Sequence, residues 1–201
     1  APGEKDATGT GIGLGAGTGF GAGGADTITF ITGGSVNGKI SSAGLTTTGI
    51  TTGAAATAGS ITGNWSLTVG SRMQATYADL AEYYEGDREY DVGTVLVFGG
   101  EKEVTESTEH KTTRVAGVVS DQSAYIMNAG CPGIKTCAAL QGRVPVNVIG
   151  TVAKGDMLIS SSIPGYAVVD NNPKVGSVIG KAVGSKTDTE RGIVEAVVGR
   201  V

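Results

Sequence analysis

From Gly9 to Gly23 the chain reads "GTGIGLGAGTGFGAG", with glycine at every second position, eight in succession. No other stretch restricts the fold as strongly. Glycine loses more backbone entropy on ordering than any other residue, so one chain gains little by ordering this segment alone. Period-two alternation predicts an extended segment, with the glycines on one face and Ile12, Leu14 and Phe20 on the other. A face without side chains lets backbones approach closely, as at crowded axes where only hydrogen fits. A flexible linker is the alternative, but linkers pair glycine with serine, not with Ile, Leu and Phe.

The surroundings extend the argument. Between Asp6 and Arg72 only Asp26 and Lys39 are charged, and residues 1–70 hold 19 of the 35 glycines. A disordered tail would carry charge and proline to stay solvated, and a monomeric domain would need more large apolar side chains to offset its ordering entropy. In "KISSAGLTTTGITTG", Ile40, Leu45 and Ile50 recur every five residues, with a weaker echo at Ile61, Leu67 and Val69. Repeats with one apolar residue each cannot bury it within one chain. Three copies around a common axis can, stacking neighbour on neighbour as solenoids do, with threonines on extended backbone facing water. Residues 1–64 are therefore expected to form a homotrimeric Gly/Thr-rich fibre shaft, with Ile12, Leu14, Phe20, Ile40, Leu45, Ile50 and Ile61 packed at the trimer axis.

A net charge of −4 over 201 residues argues against a nucleic-acid partner, which calls for a basic face. No apolar run reaches the roughly 18 residues of a membrane span, so no membrane insertion is expected. No basic segment precedes an apolar core, so no signal peptide is expected, and the start at Ala1-Pro2 reads as a piece of a longer chain.

Residues 72–201 carry 29 of the 34 charged residues. In "SRMQATYADLAEYYEGD", Met73, Tyr77, Leu80, Ala81 and Tyr84 fall on one helical face, which predicts a short helix near residues 73–84. Residues 65–86 are expected to form a connector. Beyond Asp87 come "GTVLVF", "RVAGVVS", "AYIM", "AALQGRVPVNVIG", "DMLIS", "YAVV", "GSVIGKAV" and "GIVEAVVGRV", separated by Gly, Asn, Pro and Ser. Short β-branched strands at close spacing predict a β-barrel-like head over 87–201. The fold class is all-β.

Catalytic patterns are sparse. His110, the only histidine, sits in the polar stretch "ESTEHKTTR", which reads as an exposed turn without an apposed nucleophile and carboxylate. Gly19, Gly21 and Gly24 satisfy G-x-G-x-x-G formally, but the motif has meaning only between a strand and a helix, and "TITF" follows. Cys131 and Cys137 in "CPGIKTC" lack zinc-site spacing. In an oxidising setting they are expected to bridge and staple a surface loop, contributing roughly 2 kcal/mol; in a reducing cytosol they stay thiols. Asp79, Glu82 and Glu85, near Glu89 and Asp91, read as a solvated helix face, with paired acids for glycoside hydrolysis as the rival. Arg72, Arg88 and Arg143 are expected to pair with such acids at a subunit boundary. No cofactor or metal is expected, and no enzymatic activity.

The segments "WSLTVGSRMQATYADLAEYYEGDREYDVGTVLVFGGEKEVTEST", "TRVAGVVSDQSAYIMN" and "ALQGRVPVNVIGTVAKGDMLISSSIPGYAVVDNNPKVGSVIGKAV" resemble virion structural and tail-fibre proteins of tailed bacteriophages, notably T4-like marine phages. The resemblance runs from Trp65 to Val201. It implies a homotrimeric virion projection, assembled in the host cytoplasm, whose partners are itself, other virion proteins and a host surface receptor or glycan. A head-decorating or baseplate component is the alternative within that class. "TYADLAEYY" to "VAGVVS" is also distantly similar to self-cleaving C-terminal domains of phage appendage proteins, which implies an autoproteolytic or glycan-cleaving alternative. Those domains release a terminal chaperone segment. Here "VEAVVGRV" reads as the last strand with no long segment after it, and no cleavage residue is assigned.

Overall fold

The computed structural model describes the backbone of residues 19–22, 28–32, 35–41 and 44–47, and residues 64 and 66–199 with their side chains. The chain divides into two units, Ala1–Leu67 and Thr68–Val201.

In the first unit, β1 (Gly19–Ala22), β2 (Ile28–Thr32), β3 (Ser35–Ser41) and β4 (Gly44–Thr47) form an antiparallel meander. The register sets Phe20 opposite Phe30, Ile28 opposite Ile40, and Ile40 opposite Leu45. The five-residue spacing of Ile40 and Leu45 thus coincides with an antiparallel pairing of two successive strands. Gly19 and Gly21 lie in β1, which leads into antiparallel β2, so the G-x-G-x-x-G match has no βαβ setting. Of the residues expected at a trimer axis, Ile12, Leu14, Ile50 and Ile61 lie outside the described residues.

The second unit is all-β. Its strands are β5 (Asp79–Gly86), β6 (Val95–Phe98), β7 (Val104–Glu106), β8 (Val115–Val119), β9 (Tyr125–Met127), β10 (Ile134–Ile149), β11 (Met157–Ser160), β12 (Ala167–Val169), β13 (Val178–Ala182) and β14 (Arg191–Val198). They form one mixed sheet in the order β12-β11-β13-β14-β10-β8-β6-β7-β5-β9, with extra pairings of β10 to β12 and to β5. Those two pairings close two five-strand circuits that share β10. One runs β10-β8-β6-β7-β5 and the other β10-β14-β13-β11-β12. Closure removes open edges, the usual solution for a small all-β unit.

Strand β10, 16 residues long, spans both circuits by changing partners. Ile134–Gly142 pair with β5, and Gly142–Ile149 pair with β14. Its second half alternates cleanly: Val144, Val146 and Val148 are buried, while Arg143 and Pro145 face out. In β14 the buried set is Val194, Ala196 and Val198. With Leu158, Ile179 and neighbours they make the larger core. Each fully buried side chain of this size contributes about 1.5–3 kcal/mol. A smaller core gathers Leu96, Val104, Ala116, Val119 and Ala138. The central strands serve both: Val95, Val118 and Ala139 face the larger core, while Leu96, Val119 and Ala138 face the smaller. Burial on both faces explains why "TVLV" and "VAGVV" read as continuous apolar runs rather than alternating ones.

The helix expected near residues 73–84 is absent. Residues 71–78 are irregular and β5 follows. Eight residues of β5 find ladder partners on β10, and its tyrosines suit a pleated, half-buried surface. That tertiary pairing overrides a local 3.6-residue pattern whose outer members, Met73 and Tyr77, stay exposed. Asp79–Gly86, expected in the connector, is instead a strand of the second unit.

Candidate functional site

With Asp79, Glu82 and Glu85 on a strand, their environments diverge. Glu82 accepts from the Tyr84 hydroxyl at 2.9 Å, and burial together with that bond pushes the Tyr84 phenol up to about 12. Glu85 pairs with Lys102 at 2.8 Å. Asp79 is only 4% exposed. The solvated helix face is therefore replaced by three separate settings. The arginines find other acids than the expected ones: Arg88 pairs with Glu106, and Arg143 with Glu195 at 3.0 Å. Such exposed pairs contribute about 0–1 kcal/mol each. Arg72 is exposed.

Asp79 begins β5 and meets the loop after β8. The Ser123 hydroxyl donates to Asp79 Oδ2 at 2.8 Å, and the Ala124 amide donates to the Asp79 carbonyl at 2.9 Å. Ser120 Oγ lies 3.2 Å from Ser123 Oγ and accepts from the Gln122 amide at 3.4 Å. Beside this hub opens a cleft of about 310 Å³. Its walls are residues 76–79, the loop 120–122, and Arg143, Pro145 and Glu195 from the outer face of β10 and β14. The sequence reading missed this site. "SDQS" is visible as a polar turn between two strand patterns, but its contact with Asp79, 44 residues away, has no local signal.

A second cleft of about 490 Å³ is lined by Glu89, Tyr90, Val119 and residues 133–136. It is larger but chemically poorer: Lys135 already donates to the Ala129 carbonyl at 2.7 Å. Tyr90 anchors its rim. The phenol donates to Asp87, lies 3.2 Å from Thr105 Oγ1 and accepts from the Glu106 amide at 3.3 Å. The Tyr90 hydroxyl is the main reason the Asp87 carboxyl sits below the usual range. A depressed carboxylate adds stability above its unfolded pKa, and that stability is lost as pH falls through the folded value. Tyr90→Phe should therefore cost about 1 kcal/mol near neutral pH, with the gap to wild type narrowing in acid. Urea midpoints measured across the acid range check this; a gap that is constant with pH would contradict the assignment.

Both cysteines are free thiols in the structure. Cys131 sits in the turn before β10 with its Sγ 3.5 Å from the Pro132 carbonyl, and Cys137, inside β10, lies 3.7 Å from Ser123 Oγ. Extended backbone from Ile134 onward places Cys137 in a different neighbourhood from Cys131. Burial raises both thiols above the ordinary value, with acidic neighbours adding to it: Glu103 and Glu85 at Cys131, Asp79 and Asp121 at Cys137. His110 is exposed in the turn between β7 and β8.

No protein-family model matches the chain, and no curated protein matches it. A phage protein is among the similar solved structures. It is the pre-mature bacteriophage phi29 gene product 12, 13% identical, with a TM-score of 0.45. The similarity covers 82% of this chain and 24% of that one, so the chain spans about a quarter of that protein's length. No residue role is carried over from it.

Proposed function

We propose that the chain is a structural component of a bacteriophage fibre or appendage, a homotrimer that builds a virion projection and contacts the host surface. Its work is mechanical and adhesive rather than catalytic. One observation carries the reading. The segments that resemble tailed-phage structural proteins are the framework strands of the second unit: "RVAGVV" supplies β8 and "ALQGRVPVNVI" supplies most of β10. The resemblance therefore falls on the residues that hold the double circuit together. The Gly/Thr-rich segment supports the trimer, since its sparse apolar residues call for copies of themselves. In this reading the partners are the chain's own copies, other virion proteins and a host receptor, and the particle is assembled in the host cytoplasm.

The test is the mass of the full 201-residue chain in solution, by sedimentation or light scattering at micromolar concentration. Three times the chain mass is expected, with electron micrographs showing a threefold projection. A monomeric mass, with residues 1–63 protected from protease, would overturn the trimer.

A further inference from the structure

We propose that the cleft lined by residues 133–136 takes up an extended, uncharged peptide segment of another protein, which adds a strand to the open edge of β10. The proposal goes beyond the reading above and stands on the second unit alone. The chemistry of this cleft lies in its backbone rather than its side chains. Glu85 is opposite Lys135; its amide donates to Glu103 Oε2 at 2.8 Å and its carbonyl accepts from the Glu103 amide at 3.0 Å. Facing residues in an antiparallel ladder alternate between bonded and unbonded pairs, so the Lys135 amide and carbonyl turn to the other side of β10. On that side β8 pairs with Ala138 and Ala139, and the Ser120 amide donates to the Cys137 carbonyl at 3.0 Å. No strand among the described residues pairs with Lys135 on that side. Val119 at the end of β8 and residues 133–136 together line the cleft of about 490 Å³, so the cleft opens where β8 stops.

A second observation points to the same place. Thr136 lines the cleft and is 5% exposed, and its Oγ1 has no hydrogen-bond partner among the described residues. A buried hydroxyl without a partner carries a desolvation cost, and rotation to another staggered position presents it to a strand laid in the cleft. Threonine or serine directly opposite suits it, since such pairs hydrogen-bond across strands. The rest of the lining sets the charge of the partner. Tyr90, Val119 and Ile134 are aromatic or apolar, and Glu89 and Lys135 are of opposite sign. A neutral segment alternating hydroxyl and β-branched residues matches this set. Strand addition of this kind takes its affinity from main-chain hydrogen bonds and its specificity from alternate side chains.

The experiment titrates a dye-labelled, amidated five-residue peptide of alternating threonine and valine with the full chain, read by fluorescence anisotropy, with amide hydrogen exchange followed over residues 133–137. Saturable binding is expected, with exchange in that segment slowed about tenfold or more. The same peptide with its amides N-methylated should bind at least about tenfold more weakly, because it keeps the side chains and loses the ladder. Thr136→Val removes the hydroxyl at nearly constant shape. It should melt no lower than the wild type and lose the preference for the threonine peptide over one with alanine in its place. Lys135→Pro deletes the edge amide without touching a bond to β5, a setting in which edge strands accept proline, and should abolish binding; if that variant melts early, the N-methylated peptide decides. No saturable binding, equal binding of the N-methylated peptide, or unchanged exchange overturns the proposal. Protection of residues 133–137 that rises with the concentration of the chain alone overturns it too, in favour of a contact between copies. The mass measured on the same sample keeps the two readings apart: a monomer that binds the peptide sinks the projection and leaves the edge site, and a trimer that ignores it does the reverse.

Discussion

Gly142→Ala should unfold the second unit at denaturant concentrations where the wild type is still native, a loss of about 4 kcal/mol or more. Two effects act together at this position. Its φ of +116° lies where side chains are rarely tolerated, which alone costs of order 1–3 kcal/mol. A Cβ there would also press into the Ala78 carbonyl oxygen, with Asp79 Cα at 2.7 Å and the Ala78 carbonyl carbon at 3.0 Å. These are backbone atoms, and they cannot swing aside. The crowding follows from the architecture. Gly142 is opposite Asp79 on β5 and opposite Val198 on β14, so it is the residue at which β10 exchanges one circuit for the other. The β5 register slips just before it, between Ala139 and Gln141, and the Arg143 amide donates to the Ala78 carbonyl at 3.3 Å.

Two other glycines isolate the causes. Gly155 has φ +90° but nothing within 4 Å of an added Cβ, so Gly155→Ala should show the conformational cost alone, about 1–2 kcal/mol. Gly130 has neither constraint, and Gly130→Ala should be neutral within about 0.5 kcal/mol. Urea midpoints should fall in the order Gly130, Gly155, Gly142. A Gly142 variant as stable as the Gly155 variant would show that the partner exchange tolerates a side chain, and the pivot would be misplaced.

Gly142 also marks how far the sequence is legible. A glycine inside "AALQGRVPVNVIG" signals a bulge or a close approach, and the strand itself is readable from Val144, Val146 and Val148 at period two. All the segments read as strands beyond Asp87 are strands in the structure, from "VLVF" in β6 to "GIVEAVV" in β14. What escaped is non-local. Strand β7, Val104–Glu106, carries one apolar residue in a polar stretch, so no strand pattern shows. Each circuit includes one link of a single parallel pair, Gly86 with Val104 in one and Val148 with Ala167 in the other, and such isolated long-range pairs leave no local pattern. Strand β5 was misread because Tyr77, Leu80, Ala81 and Tyr84 happen to satisfy helical spacing, and only its ladder with β10 decides between the two periods. The cleft at Asp79 failed for the same reason. Its carboxylate comes from the misread strand and its hydroxyls from the loop between β8 and β9, 44 residues further along the chain at Ser123.

The loop between β13 and β14 should depend on one lysine: Lys186→Met should cost about 2–3 kcal/mol and loosen residues 183–190 first. The Lys186 side chain is 9% exposed. Its ammonium donates to the carbonyls of Asp188 at 2.9 Å and Glu190 at 2.5 Å and to Asp188 Oδ1, with the Gly150 carbonyl at 3.4 Å. Its stem fills the space against Gly192, where a Cβ would come within 3.0 Å of Cδ. The backbone of Lys186 is bridged both ways to Val152 at 2.8 Å, so one residue joins this loop to the one after β10. Methionine keeps the stem but offers the oxygens no proton, and a carbonyl left without a donor carries its desolvation cost. Arginine should rescue only partly, because its planar fork is built for paired parallel acceptors rather than oxygens converging on a point. The acid response supplies a second readout. The Lys186 ammonium is the main cause of the Asp188 carboxyl lying below its usual range, so this pair stabilises above the unfolded carboxyl pKa and that share fades as pH falls through the folded value. The methionine variant should lack that share, and the gap to wild type should close in acid. Amide hydrogen exchange at residues 183–190 and melting curves across the acid range measure both effects. A methionine variant that melts with the wild type at neutral pH, with the loop equally protected, would show that water replaces the ammonium without loss and that the lysine holds nothing.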